Sequence, residues 1–294
     1  MTLPQRGFPV AEFEGRAARA QTLMAKAGLD ALLLTTDPEV RYYTGFLTRF
    51  WESPTRPWFV ILPGTGKPIA VIPSIGAHLM GQTWVEDIRT WAAPDYDDDG
   101  IGLLTDALAE VTPTDGRIGV ADQMESHMRM PLASLRDLEQ RLGARHLVSD
   151  DAITRRLRLV KSEAEIDKVK VATAIAKRAF NRVPEIAGAG VPLTSVCRDF
   201  QRLCLEEGAD WVPYLAGRRW GFEPQNPQHE RCWTHQYPST ALFPMAAISR
   251  AAARASISTA PLPSLMSFGP IRTIAIPIDE IAALIAMSSD NGGT

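Results

Sequence analysis

Long apolar runs are absent from this sequence of 294 residues. No stretch of about 18 consecutive apolar residues occurs, so no transmembrane helix is predicted. Residues 1–15 also lack the apolar core of a signal peptide. A strong charge excess is missing as well: the formal net charge is -3, which gives no reason to expect nucleic acid or an anionic membrane as a partner.

Cysteine is scarce, with only Cys197, Cys204 and Cys232. Three thiols do not make a disulfide framework, so we expect a chain of the reducing cytoplasm. Cys197 and Cys204 fall on one face of a predicted helix, where ordinary core thiols are expected. The apolar content of 45% is normal for a globular protein, and the length allows two domains.

Residues 1–155 alternate between helical and strand patterns, which predicts an α/β domain with a mixed sheet and flanking helices. The turn Gly64-Thr65-Gly66-Lys67 between two apolar runs predicts a hairpin. The patterns predict helices over about 13–27, 101–111 and 131–142, and strands at 29–35, 57–63, 68–74, Asp87–Trp91, Arg117–Ala121 and His146–Val148.

The pattern changes twice after this domain. In residues 156–217, Ser162-x-x-Glu165 is a capping box that opens an amphipathic helix, and a second helix closes near Gly208. Residues 218–294 contain no lysine and little apolar periodicity, so we expect this tail to be poorly ordered.

The order of these parts resembles the creatinase/aminopeptidase P/prolidase family over about residues 1–217. The segments that carry the resemblance are GLDALLLTTDPEVRYYTGF, the hairpin PWFVILPGTGKPIAVIPS, GRIGVAD, LRLVKSEAEIDKVKVATAIAKRAF and VPLTSVCRDFQRLCLEEGADWVPYLAG. The resemblance implies a creatinase-type N-terminal domain in residues 1–155. It implies the start of a pita-bread α+β catalytic domain in residues 156–217, left incomplete by the tail.

The resemblance also carries expectations about cofactors and partners. Peptidases of this family hold two divalent metals, such as Mn, Co or Zn, through two Asp, one His and two Glu, while creatinase works without metal. Hard cations prefer such oxygen ligands, and a metal pair activates water. This sequence does not supply that set, so we expect no metal ligands, no catalytic residues and no cofactor for this chain. The resemblance further implies a homodimer formed through the N-terminal domain.

Arg56 is the one candidate binding residue. In creatinase-like relatives, an arginine near this position reaches the active site of the partner subunit and pairs with the substrate carboxylate. The segment TRFWESPTRPWF places Arg56 at about that position, beside Trp51 and Trp58. A guanidinium suits bidentate carboxylate capture. An ordinary surface arginine that leads into a strand remains an equal alternative.

Other motifs are expected to be incidental. Asp95-x-Asp97-x-Asp99 imitates a calcium loop but follows a predicted strand, so an acidic loop that caps the next helix is preferred. His229-x-x-Cys232-x-x-His235 lacks a fourth zinc ligand. The remaining candidates are expected to be coincidental or structural: Asp279 and Asp290 at the family's spacing, His78 and His127 on helices, and His146 on or beside a strand.

Two functions therefore stay open at this stage. In the first, the chain comes from a hydrolase of Xaa-Pro peptides or of small amidino or amide compounds, and is inactive as written. In the second, it is a non-catalytic dimerisation module or the remnant of a frame-shifted gene. The abrupt end of the resemblance near Gly217 and the Arg-, Ala-, Ser- and Pro-rich tail motivate the frame-shift hypothesis.

Overall fold

The computed structural model describes residues 6–53, 56–124, 126–188, 190–212, 215–218 and 231–233. The chain divides into two compact units, one up to Asp167 and one from Lys168 onward. None of the described helices is long and apolar enough to cross a membrane.

The N-terminal unit contains a six-stranded mixed sheet with the strand order β4-β3-β2-β1-β5-β6. The pairs β1–β2 and β2–β3 are antiparallel, and the pairs β3–β4, β1–β5 and β5–β6 are parallel. The strands are β1 (Ala31–Leu34), β2 (Phe59–Pro63), β3 (Ile69–Pro73), β4 (Asp87–Trp91), β5 (Arg117–Val120) and β6 (His146–Ser149). This sheet confirms the predicted hairpin and the fold class of the N-terminal domain.

Helices cover both faces of the sheet and create two cores. Leu32 and Leu34 of β1 pack in one core with residues of α1, α2 and α6, while Ala31 and Leu33 pack in the other with residues of α4 and α5. This alternation follows from the two-residue period of a strand. The helices of this unit are α1 (Val10–Ala27), α2 (Asp37–Thr44), α3 (Ala77–Met80), α4 (Ile101–Val111), α5 (Leu132–Leu142) and α6 (Ile153–Leu159).

Helix α1 ends as its sequence predicts. Gly28 adopts a left-handed conformation with φ of 65°, and its N–H donates to the carbonyl of Ala25. Glycine populates this region without steric cost, so it terminates the helix. The periodicity before it buries Phe13, Ala17 and Met24, and the last two pack in the core with residues of the sheet.

Two helices of this unit were not predicted from periodicity. The short helix α2 follows Thr36, whose backbone N–H donates to the Glu39 carboxylate at 3.2 Å, half of a capping box. Helix α6 packs on α1, and Thr154 in it hydrogen-bonds the buried Tyr43 hydroxyl at 3.2 Å. The N-terminal unit therefore extends beyond residue 155, the predicted end of the domain, to Asp167.

Helix α7 (Glu163–Asn181) begins in the N-terminal unit, and the rest of the described chain belongs to the second unit. The predicted capping box is present, with Ser162 N–H donating to Glu165 at 3.0 Å. Phe180 and Phe200 pack with ring centroids 4.7 Å apart in the core of the second unit. That unit also contains α8 (Leu193–Glu206) and the antiparallel strands β7 (Ala216–Arg218) and β8 (Arg231–Trp233).

Candidate functional site

Arg56 lies just before β2, after a turn of 3₁₀ helix at Arg49–Glu52. The residue is partly buried. Within the described parts of the chain, its guanidinium has no hydrogen-bond or ion-pair partner. We call Ser53, Arg56 and Trp58 together with this turn the Arg56 segment. The side chain of Arg56 is therefore available to a ligand or to another subunit.

An aromatic cluster supports the Arg56 segment. Trp58 is 1% exposed, and its ring lies 5.4 Å from that of Phe46, 6.0 Å from that of Trp51 and 6.1 Å from that of Phe50. A Cβ built on Gly76 would approach Trp58 to 2.3 Å, which shows how closely the backbone packs against this indole. Large aromatic side chains bury much apolar area, so the cluster gives the segment a rigid base.

Arg129 ties the Arg56 segment to the sheet. Its guanidinium donates hydrogen bonds to the carbonyl oxygens of Arg56 and Ser53 and lies 5.1 Å from the Trp51 ring centroid. Its backbone N–H donates to the Thr35 hydroxyl at 2.9 Å. Sequence reasoning missed Arg129, because its side-chain partners are backbone carbonyls 73 and 76 positions away. No local sequence pattern predicts a contact between residues so far apart in the chain.

The charge of Arg129 also reaches the start of α2. Burial raises the pKa of the Asp37 carboxyl, and the guanidinium of Arg41, 2.8 Å away, and that of Arg129 partly offset the increase. Arg129 is thus a structural cation, already engaged with backbone carbonyls and an aromatic ring. The Arg56 guanidinium has the planar shape that captures a carboxylate in a bidentate pair.

The described residues do not fit the family's metal pair. Among them, no group of three or more His, Cys, Asp or Glu side chains is placed to hold a metal ion. The acidic loop before α4 follows strand β4, as predicted, and not a helix. There the Asp98 carboxylate accepts the Gly102 N–H at 2.9 Å, and two backbone N–H groups lower the pKa of Asp95. The loop therefore caps α4.

The structure accounts for most of the remaining sequence candidates. His78 lies on α3 and His146 on β6, as expected, but His127 lies in a loop, so its helical assignment was wrong. The described residues between Ala121 and Met130 form loop, bend and turn backbone. Cys197 and Cys204 are buried on α8, as expected of core thiols. Outside the described residues lie His229, His235, Asp279 and Asp290.

Comparison with known proteins identifies the N-terminal unit. The family model of the creatinase/prolidase N-terminal domain matches residues 16–160. The chain carries a creatinase/prolidase N-terminal domain. Together with the similar proteins described next, this match confirms the resemblance to the creatinase/aminopeptidase P/prolidase family.

Full-length relatives extend this result. The chain is 28% identical over 211 residues to a probable dipeptidase PepE of Mycobacterium tuberculosis, covering 71% of this chain and 53% of that protein. It is 29% identical over 211 residues to a creatinase of a Bacillus species, covering 70% of this chain and 48% of the creatinase. The chain thus spans about half the length of the curated relatives it matches.

Solved structures agree with the fold. The crystal structure of dipeptidase PepE from Mycobacterium ulcerans matches with a TM-score of 0.58 and 26% identity, over 78% of this chain and 58% of that one. A prolidase from Thermococcus sibiricus matches with a TM-score of 0.59 over 70% of this chain and 54% of its own, at 18% identity. The second likeness concerns the fold alone.

Proposed function

We propose that this chain comes from a hydrolase of the creatinase/prolidase type that acts on small peptides or on amidino or amide compounds bearing a carboxylate. In this proposal Arg56 is presented to the substrate carboxylate in the active site of a second subunit. The observation that carries it is the Arg56 segment itself: aromatic rings and Arg129 hold its backbone, while the Arg56 guanidinium has no partner among the described residues. Preorganised donors bind carboxylates at a low entropic cost.

We also propose that the chain as written does not hydrolyse these compounds on its own. The family's set of two Asp, one His and two Glu has no counterpart among the described residues. The sequence beyond residue 217 departs from the family's pattern, which also supports a chain that does not hydrolyse these compounds on its own.

A second function, assembly with another copy, is supported by an apolar surface beside Arg56. Leu47 is 58% exposed, Phe50 47% and Ile75 67%. Phe50 stacks on Trp58, and Gly76, next to Ile75, packs against the same indole. Exposed apolar side chains that lie close to one another in this way are typical of a protein–protein interface. Assembly through this surface would bring Arg56 to a partner subunit.

Turnover and assembly are measured separately. The full chain is assayed with manganese or cobalt against Xaa-Pro dipeptides, tripeptides and creatine, and no turnover is expected. Turnover that a chelator abolishes, or chelator-insensitive turnover of creatine, would refute the non-catalytic proposal.

Light scattering tests assembly, with a dimer expected for the natural sequence. Phe50→Glu should shift the population toward monomer by placing a charge in the apolar surface. Tyr96→Glu is the matched control, because Tyr96 is 96% exposed and lies in the acidic loop before α4. A strict monomer at high concentration, or equal effects of the two variants, would contradict assembly through this surface.

A further inference from the structure

A cleft lies in the N-terminal unit, where the parallel strands β1, β5 and β6 end. Its volume is about 250 Å³. No residue of the Arg56 segment lines it. In α/β sheets, ligands bind outside the carboxyl ends of the strands, because the following loops converge there. The charged and amide side chains that line the cleft are Glu39, Gln123, Asp150, Arg155, Arg158 and Lys161.

Two carboxylates form the inner part of this cleft. Glu39 is 7% exposed and Asp150 is 6% exposed. Within the described chain, neither carboxylate forms an ion pair. Burial raises the pKa of both groups, and the Asp150 charge further raises the pKa of Glu39. Buried carboxylates without a cation are unfavourable, so this position favours a positively charged ligand group.

The hydrogen bonds of Glu39 leave one of its oxygens available. Its Oε2 accepts from the Thr36 hydroxyl at 2.7 Å and from the backbone N–H groups of Thr36 and Thr35 at 3.2 and 3.4 Å. Its Oε1 accepts no hydrogen bond from the described residues. The side chain is therefore held in one orientation while an acceptor atom remains without a donor.

The backbone at the end of β6 is strained where it forms the cleft. Asp151 and Ala152 have φ of 52° and 53°, in the left-handed region that residues other than glycine rarely adopt. This conformation lets the Ala152 N–H donate to Asp150 Oδ1 at 2.9 Å. This hydrogen bond orients the carboxylate of Asp150, which lines the same cleft as Glu39. Backbone strain of this kind concentrates at binding sites.

Cations line the cleft on helix α6 and just beyond it. Arg158 is partly buried, and in the described chain its guanidinium donates no hydrogen bond. Arg155 donates to the Met124 carbonyl at 3.3 Å, and the Lys161 ammonium contacts the carbonyl of Arg158. The charge of Arg158 helps to lower the pKa of Asp37, but its planar donor pair forms no hydrogen bond in the described chain and suits a carboxylate.

We propose that this cleft binds a small zwitterion, a free α-amino acid or a dipeptide, with its ammonium at Glu39 and Asp150 and its carboxylate at Arg158. The cleft is smaller than the roughly 300–1,000 Å³ typical of drug-sized ligands, which fits a molecule of this size. A metal ion fits less well, because no group of three candidate ligands exists among the described residues. This site is additional to the function proposed for Arg56.

Calorimetric titration of the full chain with glycylglycine, in the presence of a chelator, tests the site. Saturable binding of one ligand per chain is expected. N-acetylglycine, which lacks the ammonium, and glycinamide, which lacks the carboxylate, should each bind at least about tenfold more weakly. The absence of saturable glycylglycine binding, or N-acetylglycine binding of equal strength, would overturn the proposal. Because no turnover is measured, the result is independent of any hydrolase activity.

Variants locate the ligand. Arg158→Gln and Glu39→Gln should each weaken glycylglycine binding at least about tenfold. The matched control is Arg156→Gln, because exposed Arg156 pairs with Asp151 at 3.1 Å and does not line the cleft. Should Glu39→Gln fail to fold by circular dichroism, the more accessible Arg158→Gln decides. Binding that Arg158→Gln leaves unchanged, or that Arg56→Gln abolishes, would refute a site in this cleft.

Discussion

The buried guanidinium of Arg16 joins three parts of the N-terminal unit. Arg16 is 2% exposed on α1, donates to Glu12 at 3.1 Å and donates to the Tyr42 carbonyl at 2.9 Å. Its carbon centre lies 4.4 Å from the Phe8 ring centroid and 4.5 Å from that of Tyr42. Its Nη2 makes no hydrogen bond but lies 3.4 Å from Glu165 Oε1, so this contact with the first turn of α7 is electrostatic.

Replacing Arg16 with methionine keeps a long side chain and removes these polar contacts. Each of the two hydrogen bonds involves a charged group and contributes about 1.5 kcal/mol. The ring contacts add about 1 kcal/mol in total. Relief of the cost of burying the guanidinium offsets part of this sum. We therefore expect Arg16→Met to lower the free energy of unfolding by about 2–3 kcal/mol.

Urea unfolding followed by tryptophan fluorescence measures this loss. Lys26→Met is the matched control, because Lys26 is an exposed cation in the last turn of the same helix and should change stability by less than about 0.5 kcal/mol. Hydrogen exchange at Ile166, whose N–H donates to the Ser162 carbonyl at 2.9 Å, should also accelerate in Arg16→Met. Equal stabilities of the two variants would show that Arg16 does not anchor this unit.

Two further expectations concern stability. Arg129→Ala should lower the free energy of unfolding, measured with urea, by about 1–3 kcal/mol, because it leaves two carbonyls without their donor. Arg56→Ala should lower it by less than about 0.5 kcal/mol. Equal losses in the two variants would contradict the roles assigned to these arginines. Burial raises the pKa of Glu39 above its ordinary 4.5 and that of Asp150 above its ordinary 3.8, so the folded state binds protons more tightly than the unfolded state. The contribution of these groups to stability therefore falls as the pH rises from the ordinary pKa to the raised pKa of each group. Glu39→Gln should flatten that dependence in urea unfolding measured between about pH 4.5 and pH 7, and an unchanged slope would refute the assigned shift.

The sequence alone determined the features whose signals are local. The helical period up to Gly28 predicted α1, and the apolar runs around Gly64–Lys67 predicted the hairpin of β2 and β3. The capping box at Ser162 predicted the start of α7. These predictions succeeded because each depends on residues close in the chain, where periodicity, caps and turns act directly on the backbone. The order of such parts was enough to indicate the family.

The tertiary structure decided what depends on distant residues. Helix α2 has only eight residues, too few for a clear helical period. Its Thr36–Glu39 capping box is short, and packing of the helix on the sheet decides that the helix forms. The contact of Arg129 with the Arg56 segment joins positions more than 70 residues apart. Glu39 and Asp150 line the same cleft because β1 and β6 end at the same edge of the sheet. Long-range proximity follows from strand order, and a local pattern does not encode strand order.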